Sequence, residues 1–106
     1  MSRRRVVVTG MGALAPNGND VDTFWDALIG GRSGIAPISR FDIANHDIKI
    51  AGEVKDFDSN TVLERKEARR NDLFVHYGVY VSVQAVENAA LDMSSVDPDR
   101  VGVIIG

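Results

Sequence analysis

The sequence predicts an α/β fold, and three features predict it: a β-branched run closed by glycine near the start, two segments with apolar residues at helical spacing, and a second β-branched run at 101–105. The composition of these 106 residues, 44% hydrophobic and 25% charged, is that of one soluble globular unit, so residues 1–106 are read as one segment. No internal repeat or low-complexity tract divides them.

The run 4–9, Arg4-Arg5-Val6-Val7-Val8-Thr9, is closed by Gly10 and predicts a central parallel strand buried on both faces. Asn19 or Asp20 can cap a helix in which Val21, Phe24, Trp25, Leu28 and Ile29 form one apolar stripe. Gly30-Gly31 can end it. Phe24 and Trp25 are read as core residues of that stripe, not as a cofactor box.

Residues 32–58 predict one short strand, Lys49 to Val54, in otherwise irregular chain. The charged stretch Thr61 to Arg70 predicts a helix, and a second begins at Asn71 or Asp72 and runs to Leu91. The latter carries apolar residues around most of its circumference, among them Leu73, Val75, Val79, Val83 and Val86. A helix apolar on nearly every side needs cover on both, more than a chain of this length can supply. Pro98 interrupts the chain before the strand 101–105. In open α/β sheets the ligand site lies beyond the carboxyl ends of the strands, so the chain is read as a fragment of a larger protein.

A net charge of −3 argues against a polyanion-wrapping protein, so no nucleic-acid partner is expected. Arg3-Arg4-Arg5 is read as keeping the start of the first strand in solvent. The apolar run behind it is too short for a signal peptide or a membrane span, which predicts a cytoplasmic protein without membrane contact. There is no cysteine, hence no disulfide, no thiolate metal site and no thiol nucleophile in these residues. No metal or cofactor is expected.

Gly10-Met11-Gly12-Ala13-Leu14-Ala15 fits the dinucleotide fingerprint G-x-G-x-x-G/A directly after a strand. That fingerprint works only when a helix starts inside the loop and turns its amides to the pyrophosphate. Here Pro16-Asn17-Gly18 follows and delays the helix to about position 20. The glycines are therefore read as allowing close chain approach at a turn, and nucleotide binding stays a distant alternative.

Arg4 to Gly12, Ala15-Pro16-Asn17-Gly18, Phe24-Trp25-Asp26-Ala27-Leu28 and Gly31-Arg32-Ser33-Gly34-Ile35 together resemble the opening of the β-ketoacyl-acyl carrier protein synthases of the chain-elongating type. Arg40-Phe41-Asp42, Ile50 to Phe57, Arg65 to Arg70 and Val101 to Gly106 continue the resemblance at similar spacing, so it covers essentially the whole chain. It implies the N-terminal part of a thiolase-like fold, layered helices and mixed sheet, in a homodimeric acyltransferase of fatty acid biosynthesis. The implied reaction is a decarboxylative Claisen condensation, in which a cysteine takes the acyl chain from acyl carrier protein and two histidines assist decarboxylation of malonyl carrier protein. Related polyketide ketosynthases and their non-catalytic chain-length partners resemble the same residues.

None of the implied catalytic residues lies in this chain: there is no Cys, and His46 and His76 fall outside the family's catalytic motifs. No catalytic residue is assigned, and the 106-residue chain alone is expected to be inactive. Arg65, Lys66, Arg69 and Arg70 stand at i, i+1, i+4 and i+5, along one side of a helix. By charge pattern alone this is a solvated face, partly offset by Glu64 and Glu67. The resemblance implies more, because Lys66, Arg69 and Arg70 match the family's docking positions for acyl carrier protein, an acidic partner.

Overall fold

The computed structural model of the chain describes Ser2–Gly106. Its elements are α1 (Val21–Ile29), β1 (Ile35–Pro37), β2 (Ile50–Gly52), α2 (Arg65–Ala68) and α3 (Leu73–Asn88), with single 3-10 turns at Ser59–Thr61, Met93–Ser95 and Pro98–Arg100. Helix α1 starts where the sequence places it: Asp20 is the N-cap, and its carboxylate accepts from the Thr23 amide at 2.8 Å. Gly31, at φ +65°, ends it, with the amides of Gly31 and Arg32 donating to the carbonyls of Leu28 and Ala27.

The strand expected from Lys49 to Val54 forms at Ile50–Gly52 and pairs antiparallel with β1 in the register Ile35↔Gly52, Ala36↔Ala51, Pro37↔Ile50. Lys55 then ties this ribbon to the turn before α1. Its ammonium donates to the carbonyls of Pro16 at 2.9 Å, Gly34 at 3.2 Å and Glu53 at 3.2 Å, while its own carbonyl accepts from the Asn19 side chain at 2.7 Å.

The runs 4–9 and 101–105, expected as strands, carry no ladder bonds among the described residues. A strand exists only through a neighbour's backbone, and no second strand lies beside either run. What meets α3 is the residue after the first run and the end of the second: Gly10 sits against Ala85 and Ala89, and Ile105 against Gly78. Val6, Val8, Val103 and Ile104 consequently remain 78–99% exposed.

Helix α3 stops at Asn88, and its end is a Schellman turn in which the amides of Leu91 and Ala90 donate to the carbonyls of Val86 and Glu87. The charged helix expected over Thr61 to Arg70 is shorter than its pattern, forming a 3-10 turn at Ser59–Thr61 and one turn of α-helix at Arg65–Ala68. Trp25, expected in the core, is 60% exposed, because it lines an open apolar recess with Met11, Gly12 and Ala13 that no further described residue fills; the buried residue of that helix is Ala27.

Candidate functional site

The basic cluster sits on α2 and the turn after it, and three neighbours fix its place. Asp58 caps the 3-10 turn that precedes it, accepting from the Asn60 amide at 2.9 Å. Phe57 packs edge-on against Tyr77 and Tyr80 of α3, with ring centroids 5.0 and 5.2 Å apart. The Tyr77 hydroxyl accepts from Arg40, which also donates to the Val54 carbonyl, both at 3.1 Å. This aromatic cluster fastens the segment leading into α2 onto α3.

Arg65 and Lys66 lie within α2, Arg69 is its C-cap, and Arg70 stands in the turn beyond. The helix is shorter than expected, yet the Arg69 amide donates to the Arg65 carbonyl at 3.2 Å, so these two side chains still stand one turn apart. All four cations are exposed. Among the described residues the one ion pair within 4 Å joins Arg70 to Glu67, at 3.8 Å and in solvent, where such a pair is worth well under ~1 kcal/mol. Arg65, Lys66 and Arg69 carry their charge without a bridging carboxylate. The adjoining shallow recess is lined by Phe57, Asp58, Asn60, Arg65 and Arg69.

The glycine loop fits a nucleotide fingerprint in sequence, but its Met11 and Ala13 amides are already engaged. The Met11 amide donates to the Asn88 side chain at 3.0 Å and the Ala13 amide to the Gln84 side chain at 3.1 Å. Gln84 returns a bond to the Ala13 carbonyl at 3.1 Å and another to the Asn19 carbonyl at 2.6 Å. A Cβ on Gly10 would collide with the Ala85 carbonyl, and one on Gly12 with the Val81 carbonyl. The glycines let the loop lie directly on α3, and helix α1 begins only at Val21. A dinucleotide would need those amides free and a helix start at the loop.

The two histidines differ. His46 is exposed and meets Phe41 edge-on at 5.3 Å. His76, 8% exposed, is bonded at both ring nitrogens, to the Ser59 hydroxyl at 2.7 Å and the Ala68 carbonyl at 2.9 Å. The sequence pattern gave no sign of this link, since Ser59 and Ala68 precede His76 by 17 and 8 residues. Also unforeseen was the Glu53 carboxylate, which accepts from the Ser39 hydroxyl and from the amides of Ser39 and Arg40. Those bonds, the hydroxyl's first, hold its pKa below the ordinary carboxylate value. No group of three or more His, Asp or Glu among the described residues could hold a metal ion, and no helix is long and apolar enough to cross a membrane.

The family model of the β-ketoacyl synthase N-terminal domain matches residues 3–106. The chain belongs to the β-ketoacyl synthase family. It is similar over all 106 residues to the 3-oxoacyl-[acyl-carrier-protein] synthases 2 of Vibrio harveyi, at 48% identity, and of Synechocystis, at 46%. The corresponding synthase of Staphylococcus aureus strain COL is 45% identical over 103 residues. The chain spans about a quarter of these relatives, 26% of the first two and 25% of the third. Among solved structures it superposes on the ishigamide ketosynthase/chain length factor with a TM-score of 0.81 and 33% identity, over 90% of this chain and 24% of that one. Its helices and small sheet are thus part of a thiolase-like ketosynthase fold.

Proposed function

We propose that this chain is the N-terminal part of a 3-oxoacyl-[acyl-carrier-protein] synthase, an acyltransferase that extends acyl chains by decarboxylative condensation with malonyl carrier protein. The observation that carries the reading is the match of the whole chain to synthases of that name at 46–48% identity. These residues supply no thiol nucleophile, since they hold no cysteine. Their contribution is a scaffold built on α3 and a surface that receives the carrier. Lys66, Arg69 and Arg70 form that surface: exposed cations on a short, anchored helix offer an acidic partner a complementary field, which speeds encounter and sets orientation. A homodimeric, cytoplasmic enzyme without a nucleic-acid partner belongs to the same proposal.

The test is product formation from acyl carrier protein and malonyl carrier protein. The full-length protein is expected to release carbon dioxide and form the β-ketoacyl product, and the 106-residue chain alone to form none. Product from this chain alone would place the chemistry in the residues described here and overturn the reading. One observation favours a second reading, a non-catalytic chain-length partner: the structural neighbour is named as a ketosynthase/chain length factor. A residue other than cysteine at the family's nucleophile position would select it.

A further inference from the structure

The basic turn is held by fewer bonds than a long helix would supply. One turn of α-helix leaves its last carbonyls without intrahelical donors. In α2 the Glu67 carbonyl accepts from the Arg70 amide and from the Asn71 side chain, at 3.1 and 2.9 Å. The Ala68 carbonyl, immediately before Arg69, accepts from His76 of α3 at 2.9 Å. A carbonyl can only accept, so the proton of the imidazole is on Nε2. On the neutral ring Nδ1 is then the acceptor, and the Ser59 hydroxyl, 2.7 Å away on the 3-10 turn, donates to it. One buried side chain thereby joins three elements, α2, α3 and the turn at Ser59–Thr61.

We propose that His76 is a positioning residue for carrier docking: its Nε2–H holds the Ala68 carbonyl, and with it the backbone that presents Arg69 and Arg70, in register on α3. This rests on the docking reading above. The imidazole has nothing to bind itself, being 8% exposed with both nitrogens used. Its effect passes through the peptide of Ala68 to the next two residues. A docking cation displaced by an ångström loses the orientation that makes an encounter productive.

The experiment compares His76→Leu, His76→Gln, Ser59→Ala and Arg69→Glu in the full-length synthase, with acyl carrier protein and with a small acyl thioester as donors. His76→Leu keeps volume and removes both bonds, whereas His76→Gln keeps one donor and one acceptor. For His76→Leu the expected result is a loss of about tenfold in carrier-dependent kcat/KM. The loss should lie in KM, with small-thioester turnover retained. His76→Gln is expected to recover most of it, and Ser59→Ala, which deletes only the hydroxyl, to fall between. Should His76→Leu fail to fold, Ser59→Ala carries the same comparison. An unchanged carrier-dependent kcat/KM in His76→Leu or Ser59→Ala, with Arg69→Glu impaired, overturns the positioning role alone. A parallel loss with both donors overturns it as well, since that is general destabilisation. An unimpaired Arg69→Glu overturns the docking reading and this inference together.

Discussion

A methyl group on Gly12 would strike the Val81 carbonyl and come within 3.0 Å of the Gln84 Cβ, so the requirement for glycine there is steric and internal. In the full-length protein, Gly12→Ala is expected to cost about 1–3 kcal/mol in urea unfolding, the range for overpacking a closed contact. Titration of the unsubstituted protein with NAD or FAD is expected to stay flat. A second residue-scale expectation concerns Asp20, whose carboxylate is held below its ordinary pKa first by the Thr23 amide and then by the Thr23 hydroxyl. A lowered folded-state pKa stabilises at pH above the unfolded-state value and is lost as the pH falls through the folded one. In the full-length protein Asp20→Ala should therefore cost about 1 kcal/mol at neutral pH. In urea melts that difference should shrink below the ordinary carboxylate range. A difference that persisted undiminished in acid would deny the cap its charge.

At the scale of the element, what could be read in the sequence was what each segment writes in its own residues. The cap at Asp20, the stop at Gly30-Gly31 and the strand around Ile50 are local signals, and each lies where it was expected. The runs 4–9 and 101–105 have strand composition, but a ladder depends on a second backbone, which no spacing within the run encodes. The cationic residues of the proposed docking face were legible, their number and order being in the chain; what was not legible was how that turn is held. In sequence His76 is only a histidine outside the family's catalytic motifs; the fold brings Ser59 and Ala68 to its two nitrogens. Helix α3 also ends without the glycine that would announce it, because Ala90 takes the left-handed position at φ 49°. An alanine there costs about 1–2 kcal/mol of backbone strain. Ala90→Gly removes that strain and adds about 0.4–1 kcal/mol of unfolded-state entropy. The net expectation is a modest rise in the Tm of the full-length protein, and a fall would show that the Schellman turn is not under strain.

The whole molecule is spread out for its length. Its radius of gyration is 17.6 Å, against roughly 13 Å for a compact domain of this size. Its accessible surface is 8882 Å², against roughly 5,800 Å² for a compact protein of this mass. Ala27 is the one buried apolar residue among those described, while Val8, Trp25, Phe74 and Ile104 are 60–99% exposed. Apolar surface on that scale drives association, so the 106-residue chain in isolation is expected to self-associate and melt without a sharp transition. Sedimentation as a monodisperse monomer with a cooperative melt would contradict this. In the full-length protein the same surfaces are expected to be covered, and the proposed docking role leaves the cations of α2 in solvent to meet the carrier. On that proposal their effect acts through screened long-range fields and belongs to the rate of association more than to the chemical step. The most direct measurement is carrier-dependent kcat/KM of the full-length protein and of Arg69→Glu across a range of ionic strength. The expected result is a marked loss for Arg69→Glu at low salt, a shallower salt dependence than the unsubstituted enzyme, and convergence of the two at high salt. Equal kcat/KM at low salt in a folded Arg69→Glu protein would contradict the docking role and return the basic turn to an ordinary solvated face.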